Sequence, residues 1–285
     1  VLDWWLIASI AGIGLFAGVL GGLLGVGGST IMIPGLVLLF GQGLAEPGLA
    51  GSFDRLNQHV YQAAAMIATV LISIPATIHH ARLGAIVWPA LKRILPAALL
   101  LTLGGVWISN RAVFSDGLAG VTGPVLLGRV LAAFLVWVLI ENVRRMFRKP
   151  RPVDDPVDLT FVTPARSLAV GACMGLVAGL TGLGGGAVAV PLQQVLLKLR
   201  LRNAIANSSA MICLTGILGS IYKNATLASH DLQWTDSLLF AALLAPTAMI
   251  GGYLGARLTH VLPVRIVRGV FIILLALSIW KMAAV

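Results

Sequence analysis

From Gln58 to Ile78 the chain carries no formally charged residue, and stretches of this kind recur from one end to the other. A helix rises about 1.5 Å per residue, so about 20 apolar residues cross the roughly 30 Å of hydrocarbon in a bilayer. Hydropathy reads spans at 4–24, 29–41, 57–78, 88–108, 125–145, 166–183, 187–199, 203–222, 236–256 and 265–284. Lipid offers the backbone no hydrogen-bond partners, so apolar runs of this length cross as helices. Composition agrees: 58% of the residues are hydrophobic and 11% charged, against about 25% charged in soluble domains. The spans 29–41 and 187–199 are too short to cross comfortably, which leaves a full crossing or a re-entrant path open. The first span opens Val1-Leu2-Asp3-Trp4-Trp5 without a basic start, so it is expected to be structure rather than a secretory leader.

A net charge of +10 would point to nucleic acid in a soluble protein. Here the charge follows the membrane. Of the 20 Lys and Arg residues, all but Arg55, Arg111, Arg129, Lys223 and Lys281 fall in 79–93, 144–166, 198–203 and around 257–268. The positive-inside rule makes these four connections cytoplasmic, and the expected setting is a bacterial-type inner membrane. Loops 41–56 and 223–235 and both termini then lie outside. On this assignment 1–41 starts and ends outside, whereas 166–199 starts and ends inside. The expected fold is an all-α integral membrane protein of two inverted-topology repeats. Each repeat holds a glycine-broken, re-entrant-like helix pair plus three transmembrane helices, a common plan among secondary transporters. The first repeat spans 1–145 and the second 165–285, with a cytoplasmic linker at 146–164 that is rich in Pro and charge and is expected to be mobile.

The duplication is visible in the residues. GGLLGVGGSTIMIP at 21–34 and AGLTGLGGGAVAVP at 178–191 align at a shift of 157, pairing Gly25 with Gly182, Gly27 with Gly184, Gly28 with Gly185 and Pro34 with Pro191. QAAAMI at 62–67 resembles NSSAMI at 207–212, a shift of 145, and Gly104-Gly105 resembles Gly251-Gly252.

Glycine adopts positive φ freely, so Gly25-Val26-Gly27-Gly28 is expected to leave helical geometry inside the membrane. A new helix starting near Ser29 or Gly186 presents unpartnered N–H groups and the positive end of its dipole, which favours an anion. Pro34 and Pro191 lie about five residues into the short helices, where a missing N–H kinks a helix or loosens its start. Gly14-Gly18-Gly22 and Gly171-Gly175-Gly179 instead recur every fourth residue on one face, the pattern of close helix packing.

Polar residues present in both halves are the natural complement to such a site. Gln58 and Gln62 pair with Asn203 and Asn207, each pair on one helical face, and Ser208 and Ser209 extend the second set. Gln62 and Asn207 are read as substrate contacts, Gln58 and Asn203 as helix-packing contacts. The candidate substrate site therefore comprises Gly25, Gly27, Gly28, Ser29, Thr30, Gln62, Gly182, Gly184, Gly185, Gly186, Asn207 and Ser208, and the two motifs are expected to meet at the pseudo-two-fold axis.

Other chemistry is thin. His79-His80 closes a span beside Arg82, a setting that fits an interfacial role better than proton transfer. With His59, His230 and His260 these residues show no metal-ligand spacing. Cys173 and Cys213 sit singly and read as packing residues. Lys223 at a span's end is expected to snorkel to the interface. Trp4, Trp5, Trp88, Trp107, Trp234 and Trp280 fall near span ends, where amphipathic rings favour the headgroup level. No Asp or Glu lies deep in a span, which argues against a carboxylate proton relay. No metal or other cofactor is expected.

The G-x-G-G-[GS]-x-x-x-x-P motif at Gly25–Pro34 and again at Gly182–Pro191, with the basic middle loop and the small-polar segments after each motif, resembles the TauE/SafE sulfite exporter family, also called the toluene sulfonate uptake permeases. The resemblance covers essentially the whole chain. It implies transport of sulfite, sulfoacetate or related organosulfonates, small sulfur-containing anions that would be the partner beside the bilayer. A homo-oligomer is compatible with this plan. Two other readings stay open on the residues alone: an anion channel, and an intramembrane lipid-phosphate hydrolase. The hydrolase requires a general acid, base or nucleophile in reach, and no intramembrane carboxylate or acid–base pair stands ready in the spans.

Overall fold

The structure is a computed structural model. It describes residues 4–29, 31–32, 58–109, 158–182, 184–227, 233–263 and 265–270, with isolated positions in 136–147 and 272–276. Thr30, the side chains of Gln58, His59 and Gln62, loop 41–56 and most of spans 29–41, 125–145 and 265–284 lie outside the described residues.

Helix α1 runs Trp4–Leu24, α2 Gln58–Arg82, α3 Trp88–Ser109, α4 Pro164–Thr181, α5 Gly186–Leu196, α6 Leu201–Ala225 and α7 Trp234–Val261. There is no strand among the described residues. Five helices, α1, α2, α3, α6 and α7, are long and apolar enough to cross a membrane, and each falls on a span read from hydropathy. Local chemistry sets the ends. Pro164 occupies the first turn of α4, where no N–H is needed, and the Thr163 hydroxyl accepts from Arg166 N–H. Helix α2 closes on Gly84 at φ +63, with Ala85 N–H donating to His80 O and Gly84 N–H to Ala81 O, each at 3.0 Å. This is a Schellman turn that only a residue tolerant of positive φ completes cheaply.

Helix α1 packs along α7 and α3 along α4, while α2 and α6 cross between them. In lipid no hydrophobic drive holds helices together, so close packing must do it. The glycine stripes supply that packing. A Cβ on Gly18 would overlap Ala248 O and one on Gly22 would overlap Gly252 O; in the other pair, Gly175 meets Ala98 O and Gly179 meets Thr102 O.

These contacts also correct the alignment of α3 with α7. Gly105 faces Leu176 O and Gly255 faces Val19 O; Leu176 and Val19 are equivalent at the motif shift, so Gly105 answers to Gly255 rather than to Gly252. Among the described residues no atom stands against Gly104. Resemblance of a short Gly-Gly pair is a weaker register signal than the carbonyl each glycine must accommodate.

Three further expectations change. The end of the linker is docked: Leu159–Phe161 form a 3-10 turn capped by Asp158, Val162 is buried, and its carbonyl accepts from Arg93. Lys223 is 3% exposed, because α6 is buried along most of its length and leaves its side chain no open interface. Cys173 is exposed rather than packed, and Cys213 is half-buried. Trp4, Trp5, Trp88, Trp107 and Trp234 are exposed at or near helix ends, as anchors would be.

Candidate functional site

Both glycine motifs leave the helix in the same way. Helix α1 stops with Gly25 N–H on Gly21 O at 2.9 Å, and α4 stops with Gly182 N–H on Ala178 O at 2.9 Å. Gly27 and Gly184 then turn through φ of +87 and +73, a region that costs an L-residue about 1–2 kcal/mol. A second helical piece starts at once. Gly28 O accepts from Ile31 and Met32 N–H, as Gly185 O accepts from Val188 and Ala189 N–H. Every one of these bonds in the first motif has its partner in the second at the 157-residue shift. Pro191 lies inside α5; Pro34 is outside the described residues.

The two breaks touch. A Cβ on Gly186 would overlap the carbonyl oxygen of Gly25 and stand 2.6 Å from Val26 Cα, so the start of α5 rests directly on the first break. The Ser208 hydroxyl donates to Gly25 O at 2.6 Å, while Ile205 O would lie 2.7 Å from a Cβ on Gly25. On the other side Thr69 joins both breaks. Its Oγ1 accepts from Ser29 N–H at 3.0 Å, and its methyl would lie 3.3 Å from a Cβ on Gly184. Ile212 lines Gly184 and Gly186, and Ile72 closes on Gly28. The sequence-named residues Gly25, Gly28, Ser29, Gly184, Gly186 and Ser208 thus share one neighbourhood at the crossing of α2 and α6.

Asn207 is placed differently. It is fully buried, but its Oδ1 accepts from Val87 N–H at 2.8 Å. Asn203 Nδ2 donates to Ala85 O at 2.8 Å. The two amides, one turn apart, tie the α2–α3 turn to α6, so for Asn203 the packing expectation stands, and half of Asn207's capacity goes the same way. Asn207 Nδ2 has no partner among the described residues, nor does the fully buried Ser29 hydroxyl. A buried polar group left so costs about 1–3 kcal/mol unless water or a ligand completes it.

Sequence reading missed Thr69, which carries no motif, and Gln193 and Gln194, buried on α5. Gln193 Nε2 donates to Ala204 O at 3.3 Å, whereas Gln193 Oε1 and Gln194 Nε2 have no described partner. Their counterparts at the motif shift are Leu36 and Val37, so a search for polar residues present in both halves discards them. Among the described residues no Asp or Glu is buried; the polar side chains bonded at the first break are the Thr69 and Ser208 hydroxyls, beside Ile72 and Ile212. No cluster of the described residues is suited to hold a metal ion.

The family model for the sulfite exporter TauE/SafE matches residues 10–282. This chain belongs to the TauE/SafE family. The probable membrane transporter protein MamO of Magnetospirillum gryphiswaldense is 26% identical over 97% of the chain, which covers 45% of MamO. A probable membrane transporter protein of Haemophilus influenzae is 25% identical over 94% of the chain and 96% of its own length. The probable membrane transporter protein YunE of Bacillus subtilis is 22% identical over 87% of the chain and 86% of its own length. The chain thus spans less than half of MamO and nearly all of the Haemophilus relative. No solved structure matches it. The relatives matched are named as probable membrane transporters.

Proposed function

We propose that this TauE/SafE protein is a secondary transporter of small anions, sulfite, sulfoacetate or related organosulfonates, which bind between the two glycine breaks and are moved by alternating access. The contact of Gly25 O with the start of α5 at Gly186 carries this reading, because it brings both interrupted helices to one point. Interrupted helices whose N-termini face a shared cavity are a recurrent way of holding an anion without a fixed cation. The site's charge then comes from dipoles and N–H groups. The Ser29 hydroxyl and Asn207 Nδ2, both buried and unbonded among the described residues, are donors that an anion would satisfy.

The inverted arrangement belongs to the same proposal. It is supported by the repeated break geometry and by the way α1 packs on α7 while α3 packs on α4, since in each pair one helix comes from each half. The basic connections assign the end of the bundle bearing Arg82, Arg202 and Arg257 to the cytoplasm. Binding of sulfite and sulfoacetate to the purified chain, read by thermal stabilisation against sulfate and carboxylate controls, tests the substrate class, because a ligand of the folded state raises apparent stability. Stabilisation by carboxylates alone would overturn it. Saturable flux with counterflow in vesicles supports a carrier; unsaturable flux supports a channel.

A further inference from the structure

Two histidines 180 residues apart in sequence are bonded to each other. His80, in the last turn of α2, places Nδ1 2.8 Å from Nε2 of His260, in the last turn of α7. His80 is fully buried, which corrects the expectation that it sits at the interface: α7 covers it. The ring centroids are 5.0 Å apart, and His79 lies 6.0 Å from His260. Tyr253 of α7 stacks edge-on against His79.

A hydrogen bond between two imidazoles needs one protonated and one bare nitrogen. Each neutral ring therefore fixes the tautomer of the other and leaves one outer nitrogen bare, His80 Nε2 or His260 Nδ1. One further proton converts the contact to a charge-assisted imidazolium–imidazole bond. A second would put two like charges in contact at a buried position. Burial opposes even the first charge, and among the described residues His79 from α2 and Arg202 from α6 oppose it further, whereas the Gly22 carbonyl favours a proton on His80. Arg82 and Arg257 stand exposed at the same ends of α2 and α7, and α1 has no titratable side chain.

The same two helices hold the first break. Thr259, next to His260, donates to Leu23 O at 2.8 Å, two residues before Gly25. On α2, Thr69 accepts from Ser29 N–H and Ile72 closes on Gly28. The pair is not duplicated: the corresponding residues are Ala225, at the 145-residue shift, and Asn110, at the 150-residue register of α3 and α7.

We propose that His80 and His260 form a one-proton site at the cytoplasmic ends of α2 and α7, and that its occupancy is coupled to anion movement through the first glycine break. The coupling rests on the transport reading; the proton site does not.

The test has two arms. In the first, the imidazole nitrogens of the purified chain are followed by NMR from about pH 8 to about pH 3, because burial lowers the pKa of His80 to about 3 and that of His260 to about 4. His80 and His260 should shift together in one step that takes up one proton, and His80→Gln or His260→Gln should abolish that joint step. Independent titration, or no titration, overturns the site. In the second, sulfoacetate flux into vesicles is measured under imposed pH gradients, because its sulfonate does not change charge near neutrality. The parent and His79→Gln should respond to the gradient several-fold; His80→Gln and His260→Gln should carry flux without that response. A parent indifferent to the gradient overturns the coupling. A parent with no flux removes the carrier reading, and the proton site is then judged by the spectra. Each variant's melting curve confirms that it is folded.

Discussion

A Cβ on Gly186 would overlap the carbonyl oxygen of Gly25, residues from the two halves of the chain brought into backbone contact. Ser208 donates to that same carbonyl, so the first break is held from both α5 and α6. An oxygen fixed this way cannot turn toward an anion. Ser29 N–H is likewise taken, by Thr69 Oγ1, whereas the Ser29 hydroxyl and Asn207 Nδ2 have no partner among the described residues.

Gly184→Val and Gly27→Val should each weaken sulfite or sulfoacetate binding by at least about tenfold, or about 1.4 kcal/mol. A β-branched residue resists the positive φ recorded at both positions, and at Gly184 it also fills the space beside Thr69 and Ile212. Titration of folded, purified variants checks this; parental affinity in both would make the breaks packing devices.

Gly18→Ala and Gly175→Ala should behave otherwise. Each methyl would overlap a carbonyl of the facing helix, Ala248 O or Ala98 O, and overpacking of this kind costs about 1–3 kcal/mol. Melting should fall in both, while the folded fraction binds anion much as the parent does. Unchanged melting would mean that the helices part readily.

Thr69→Val removes the acceptor for Ser29 N–H and should lower stability by about 1–3 kcal/mol, the cost of an unmet buried donor. Thr69→Ser keeps the hydroxyl and should restore the parental melting curve. If Thr69→Val melts like the parent and Thr69→Ser melts lower, the methyl against Gly184 matters and the hydrogen bond does not.

Single cysteines in 41–56 and 223–235, in a chain whose Cys173 and Cys213 have been replaced, should react with an impermeant reagent outside the cell, and those in 144–164 should not. The reverse pattern would invert the orientation and place the His80–His260 pair on the outer side.

The sequence by itself determined what depends on short-range chemistry. Run length set where α1 to α7 lie, Gly25 and Gly182 marked where helices stop, and the fourfold spacing of Gly14-Gly18-Gly22 marked a packing face. Backbone conformation and helical period are local properties, so a few neighbouring residues encode them. Only the tertiary structure decided which faces meet. In a soluble protein, polarity would mark the outward face of each helix. Here lipid is as apolar as the protein interior, and hydropathy cannot orient a helix about its axis. Ile212 and Ile217 on α6 read alike in sequence, yet the first is 1% exposed against the breaks and the second 39% exposed on the surface. Thr69 at the meeting of the breaks, Asn207 on the α2–α3 turn, and His80 against His260 all follow from such rotations, which a one-dimensional pattern of apolar residues leaves undetermined.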